Sequence, residues 1–171
     1  MSATRAEDLA RAFDDDFARP IAVRGAGSED LLAIRVAGDP YAVVRGELAG
    51  LFADRPVTAL PGAAPGLLGI SGFRGALVPV YDLRAVLGAG GGAAAGSAAV
   101  RWMVTAAAGP VALAFERFEA FVRVPRDAIA AHAGAAADHA PRAVHAAGEL
   151  RPILDVPSIL AAIRGRLRRP P

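Results

Sequence analysis

The chain has 171 residues, of which 54% are hydrophobic and 21% charged, with no cysteine and a formal net charge of +2. That is enough chain for one domain or two small joined ones, with apolar content for a packed core, so wholesale disorder is excluded. The missing cysteines exclude disulfides, thiolate nucleophiles and cysteine-based metal sites, and no run of about 18 apolar residues free of charges and turn formers offers a membrane-spanning helix.

In chain order, residues 4–19 read as a helix. Leu9, Phe13 and Phe17 recur every fourth residue beside Ala6 and Ala10, and Pro20 ends the segment. The three consecutive acids Asp14, Asp15 and Asp16 cannot all lie on that apolar face, so this is a docking helix, either onto its own domain or onto a partner. The first residues lack a basic stretch followed by an apolar one, so no secretory leader is expected.

Residues 31–36 and 41–44 read as a strand pair around the turn formers Gly38, Asp39 and Pro40. Residues 53–66, with three prolines and two glycines, form a long irregular connection. Strands follow over 67–70 and 76–81. Asp82 is placed to cap a short helix over 83–87, and Gly88 to end it. Residues 88–97 are a Gly/Ala linker. A second strand pair covers 100–105 and 111–115, with another strand over 119–124. Residues 126–141 are Ala-rich and fit helix or loop equally. Strands over 143–146 and 151–154 lead to Asp155, which caps a final helix with Pro157 in its first turn.

The two halves repeat. Leu77-Val78-Pro79-Val80-Tyr81-Asp82-Leu83 is echoed by Leu150-Arg151-Pro152-Ile153-Leu154-Asp155-Val156. Upstream, Ile34, Pro40, Ala42 and Val43 are echoed by Val104, Pro110, Ala112 and Leu113, at an offset only three residues shorter. One unit of short strands, Gly/Pro turns and a capped helix, used twice, predicts small barrels or sandwiches. A proline cannot donate to a sheet ladder, so Pro79 and Pro152 are expected at a strand edge or bulge.

The chemistry of an enzyme is missing. His132, His139 and His145 sit in or beside the Ala-rich stretch with no cysteine and only Asp138 close by, which is a weak metal set. No serine lies in a G-x-S-x-G context, and the glycines at 88–92 are followed by no Lys-Ser or Lys-Thr, so they are a linker and not a phosphate loop. The chain has no lysine, which excludes a Schiff base. The sequence pI of about 9.9 reflects arginines with little net charge. The concentrated basic cluster, Arg164, Arg166, Arg168 and Arg169, suits a helix C-terminus better than a nucleic-acid face. A small-barrel nucleic-acid binder is the remote alternative, and the phenylalanines do not alternate with basic residues as single-strand binding asks.

The stretch from Pro61-Gly62 through Gly69-Ile70-Ser71-Gly72-Phe73-Arg74-Gly75 to Val78-Pro79-Val80-Tyr81-Asp82-Leu83 resembles the signature of the CheW family, the coupling proteins of bacterial chemotaxis arrays. The likeness extends over residues 31–163. It implies a mainly β fold of two SH3-like, five-stranded barrels with short helices and flanking N- and C-terminal helices. Residues 1–25 would be a helical extension and 26–165 the family domain. Its two barrels run over roughly 31–90 and 98–163, with strand exchange between them left open, and 166–171 form a basic tail.

The resemblance also implies a non-catalytic adaptor in the cytoplasm, recruited to membrane-associated receptor arrays. Its partners would be the tip of a chemoreceptor and the regulatory domain of a CheA-type histidine kinase, with no cofactor, metal, nucleic acid or membrane insertion. Arg74 and Gly75 match the family's Arg-Gly and mark the partner surface, which Gly69, Ile70, Phe73 and Val80 line or support. Arginine at such a place clasps a carboxylate, and the apolar neighbours accept a helix stripe. Three positions depart from the family pattern. Gly72 stands where it has asparagine, Gly50 near where an acid is common, and Glu116 where it has aspartate. They motivate an alternative within the family, a coupler of a dedicated non-motility pathway or a competitor for array positions.

Overall fold

The computed structural model describes residues 27–89, 101–134 and 137–167. The expected N-terminal helix, most of the Gly/Ala linker and most of the basic tail lie outside these residues. The described chain is mainly β. Its strands are β1 (Ser28–Val36), β2 (Asp39–Val44), β3 (Leu48–Ala53), β4 (Leu67–Phe73), β5 (Ala76–Asp82), β6 (Trp102–Ala106), β7 (Ala112–Phe115), β8 (Arg117–Pro125), β9 (Ala130–Ala131), β10 (Arg142–Ala146) and β11 (Glu149–Leu154). Helix α1 (Leu83–Leu87) follows β5 and helix α2 (Val156–Leu167) follows β11. The Ala-rich stretch left open between helix and loop contains a 3-10 turn at Arg126–Ala128 and the two-residue β9.

Two mixed sheets result, ordered β8-β1-β2-β11-β10-β9 and β3-β6-β7-β5-β4. Both take strands from both sequence repeats. The hairpin β1–β2 of the first repeat lies among strands of the second, and the hairpin β6–β7 of the second lies among strands of the first. Mapping β1, β2, β3, β4 and β5 onto β6, β7, β8, β10 and β11 turns one strand order into the other, with β9 as an extra edge. In each sheet one parallel contact joins the halves, β11 to β2 through Ile153 and Leu154, and β5 to β7 through Val80, Tyr81 and Asp82. Neither ladder closes on itself among the described residues.

Alternation along the strands sorts side chains into three apolar layers. Leu32, Ile34, Val43, Val104, Leu113 and Phe115 point to a central core shared by both sheets, where Ile159, Leu160 and Ile163 of α2 and Val86 of α1 also pack. The opposite faces of the same strands send Leu31, Ala42 and Val44 into a second cluster with Val124 and Ile153. Met103, Ala112 and Ala114 enter a third with Phe73, Val78 and Val80. Burial on both faces explains why Leu31 to Ile34 read as an unbroken apolar run.

Asp82 accepts the Arg84 N–H at 2.9 Å, and Gly88 ends α1 in the left-handed region at φ 68°. Asp155 accepts the Ser158 N–H at 2.9 Å at the start of α2. Both aspartates are helix caps. The prolines differ in detail from the edge or bulge expected. β5 and β11 are interior strands. Pro79 registers with Ile70 on β4, while the pairing with β7 begins one residue later at Val80. Pro152 registers with Ala143, and the pairing with β2 begins at Ile153. Each proline thus occupies the last position before a second neighbour needs its missing N–H.

Candidate functional site

The hairpin β4–β5 carries the matched Arg-Gly at its tip. Arg74 and Gly75 have φ 48° and 85°, the pair of positive values that a two-residue type I′ turn requires. Glycine takes such a φ freely, whereas arginine at 48° is held there by the turn. The consequence is exposure. Arg74 projects into solvent and makes no hydrogen bond or ion pair with any described residue. Three residues on, Leu77 is 75% exposed. An exposed guanidinium and a bare leucine three residues apart make the tip a small amphipathic patch.

The other four expected residues lie behind that tip. Phe73 and Val80 are buried in the third cluster with Val78 and Met103. Ile70 is half-buried, and its backbone N–H and C=O pair with Thr58 at 2.9 and 2.8 Å. Gly69 is buried at φ 145°, and a Cβ there would lie 2.1 Å from the Thr58 carbonyl oxygen. It is a site of close backbone approach. The tip therefore presents Arg74 and Gly75, while Gly69, Ile70, Phe73 and Val80 fix the hairpin from beneath.

A second feature was not legible in the sequence. A cleft of about 670 Å³ opens between β1, β8 and the 3-10 turn Arg45–Glu47 leading into β3. Leu32, Leu48, Leu51 and Phe121 give it an apolar floor, and Arg45 and Arg126 stand among the polar groups lining it. Phe121 is 60% exposed and continues an aromatic stack, 5.2 Å from Phe118, which lies 5.3 Å from Trp102. Gly50 also lines this cleft. The ring of Phe52 fills the space a side chain at 50 would take, 2.7 Å from a built Cβ, and packs edge-on to Phe73 at 4.8 Å.

The wall of the cleft is tied to the rest of the fold by Glu47. Its Oε2 accepts the Val156 N–H at 3.0 Å, at the start of α2, and its carbonyl accepts the Ala107 N–H at 2.9 Å. Burial pushes the Glu47 carboxyl up and the charge of Asp155 adds to this, against the Val156 N–H and Arg142.

Behind β1 lies a group of charges that the repeat concealed. Arg151, only 1% exposed, reaches Glu119 at 2.6 Å and Glu149 at 3.1 Å, and its Nε donates to the Ala146 carbonyl at 3.0 Å. Arg35 meets the same two carboxylates at 2.6 and 2.7 Å. Burial would raise the Glu119 carboxyl, but the contacts and charges of Arg35 and Arg151 outweigh it and hold it below its ordinary value. Glu116 accepts the Gly38 N–H at 2.8 Å and so braces the β1–β2 turn.

No group of three or more His, Asp or Glu among the described residues is placed to hold a metal ion. No helix among them is long and apolar enough to cross a membrane.

The CheW-like domain model matches residues 30–164. The chain belongs to the CheW-like domain family. This is a family of scaffold and adaptor proteins of chemotactic signal transduction. Among solved structures, the fold is similar to the scaffolding protein TtCheW from Thermoanaerobacter tengcongensis. The TM-score is 0.64 at 14% identity, covering 74% of this chain and 88% of that one. No curated protein matches the sequence.

Proposed function

We propose that this chain is a non-catalytic adaptor that couples chemoreceptors to a CheA-type histidine kinase, in the cytoplasm and at membrane-associated receptor arrays. The observation that carries this reading is the β4–β5 tip, where Arg74 is exposed and unpaired among the described residues beside the bare Leu77. An arginine of this kind suits a carboxylate on a partner helix, and an adjacent leucine suits its apolar stripe. The cleft at Phe121 supplies a second surface with an apolar floor and a polar lining, which is the form a docked amphipathic helix asks for. Two sites on one domain are what coupling two partners requires. In this reading each sheet curls into an SH3-like barrel, and the two barrels share the central core.

A second reading within the family rests on Gly50, Gly72 and Glu116. Gly50 yields its space to Phe52, and Gly72 leaves the outer face of β4 bare. Such changes fit a coupler tuned to a dedicated non-motility pathway or to competition for array positions.

Co-sedimentation of the purified protein with receptor-bearing membranes, with and without the kinase, tests the first reading. Sedimentation that depends on receptor and then recruits kinase is the expected result. A folded sample that sediments under neither condition overturns it.

A further inference from the structure

Phe121 leaves 60% of its surface in solvent beside the apolar floor of the cleft, a bare phenyl ring where a small domain usually keeps polar cover. The chain enters the described fold at this same place. The Gly27 carbonyl accepts the Arg126 N–H at 2.7 Å, Ser28 registers with Pro125, and Ser28 and Arg126 both line the cleft. Gly27, the first described residue, therefore stands at the cleft rim.

What precedes it in the sequence is an amphipathic segment. The four-residue spacing of Leu9, Phe13 and Phe17 makes one apolar stripe on a helix. At helical spacing the sequence sets Asp14 and Asp16 on either side of that stripe and Asp15 opposite it. Residues 20–26 are the tether, and seven residues reach at most about 24 Å. Across the cleft, Arg45 and Arg126 leave 61% and 62% of their side chains exposed, in loose pairs with Asp30 at 3.9 Å and Glu29 at 3.3 Å. Exposed pairs of that kind hold weakly and leave the cations able to meet a second carboxylate.

We propose that residues 4–19 of the same chain dock in this cleft, with Leu9, Phe13 and Phe17 on the floor by Phe121 and the flanking aspartates toward Arg45 and Arg126. A helix this short is marginal alone in water and gains its stability from the surface it covers. A tether this short holds the segment at an effective concentration of about millimolar, so a modest intrinsic affinity fills the site. Resting on the adaptor reading, the docked segment is a built-in competitor for a partner helix.

The absence of cysteine makes the test direct. In the full chain, Asp15→Cys and Ala53→Cys carry spin labels, one on the outward face of the segment and one on the exposed end of β3. A single narrow distance distribution is expected. The pair Phe13→Asp with Phe17→Asp, and separately Phe121→Asp, should each broaden it while the thermal melt of the domain stays in place. A broad distribution in the parent, or a narrow one that neither set changes, overturns the proposal. Loss of the distance on dilution with unlabelled chain overturns it in favour of docking between copies. These measurements use no partner, so they stand whether or not the adaptor reading does. In co-sedimentation with receptor-bearing membranes, a segment covering the cleft nine-tenths of the time lowers apparent affinity about tenfold, and the Phe13/Phe17 variant should regain it. Unchanged affinity with a collapsed distance leaves the docking intact and removes the cleft from the adaptor reading.

Discussion

Arg151 stands where the first repeat has Val78, and both are buried, at 1% and 6% exposed. Val78 packs among Phe73, Val80 and Met103. Arg151 instead lies between Glu119 and Glu149 with its Nε on a backbone carbonyl. Removing one partner of an isolated buried ion pair strands the other and costs about 3 to 5 kcal/mol, but here Arg35 stays on both carboxylates when Arg151 is gone. Arg151→Met is therefore expected to cost only its own charge-assisted hydrogen bonds, about 1 to 3 kcal/mol in urea unfolding, and the addition of Glu119→Leu to recover part of it. A single variant as stable as the parent would remove the pair from the list of what holds β1, β8 and β11 together.

Two carboxylates pull the pH dependence in opposite directions. Glu119 is held below its ordinary value, so its contribution is complete above the unfolded value of about 4.3 and is lost as the pH falls through the folded one. Glu47 is raised by burial, so its contribution is greatest below about 4.3 and is lost as the pH rises through its folded value. Glu47→Gln keeps an acceptor for the Val156 N–H and removes the ionisation. The melting temperature of that variant should gain on the parent as the pH rises from about 4 through the raised value of the Glu47 carboxyl, then run parallel to it. A variant that loses ground to the parent over this interval would contradict the burial of the Glu47 carboxyl.

The glycines of the signature separate into kinds. Gly69→Ala drives a Cβ to 2.1 Å from the Thr58 oxygen at φ 145°, so loss of several kcal/mol or failure to fold is expected. Gly75→Ala meets nothing within 4 Å but sits at φ 85°, for about 1 to 2 kcal/mol. At Gly72 the space is open and the φ ordinary, so Gly72→Asn should leave the melt unchanged or slightly raised. Chemical denaturation of the three variants ranks them. If Gly69→Ala proved the mildest, the close approach of Thr58 would not be what fixes that residue.

The sequence repeat exposed the caps because a cap is a local device. Asp82→Ala and Asp155→Ala should each cost about 1 kcal/mol. A melt unmoved in both would sink the capping role. Strand exchange could not be read in this way. Which hairpin joins which sheet depends on contacts between residues far apart, such as Ile153 with Ala42 and Tyr81 with Leu113, and no local pattern encodes them. β3 was missed because Leu48-Ala49-Gly50-Leu51-Phe52-Ala53 has a glycine and no clear alternation, and its pairing with β6 contains an irregularity. The cleft was missed for the same reason as the exchange, since Phe121 of β8 and Leu48 of β3 come to line one cleft only through the packing of two different sheets. Arg151 did carry a signal, a charged residue at a position where the repeat demands an inward side chain.

The tip of β4–β5 is where the fold and the proposed function part company, because the side chains of Arg74 and Leu77 are exposed. Among the described residues Arg74 makes no hydrogen bond or ion pair, and Leu77 is 75% exposed. Arg74→Glu and Leu77→Asp should therefore melt with the parent, since surface changes away from packed features are worth within about 0.5 kcal/mol. Binding is another matter. An exposed arginine that meets a carboxylate in a closed interface becomes a hot spot, worth about 2 kcal/mol or more, and charge reversal turns that attraction into repulsion. Titration of each variant against receptor-bearing membranes and against the kinase should show a loss of at least about thirtyfold for one partner, with the other spared. Loss for both partners would place them on one shared surface, and the cleft would no longer be needed as a second. Unchanged affinity for both would leave Arg74 and Gly75 as turn residues alone, selected for the hairpin and not for what it touches.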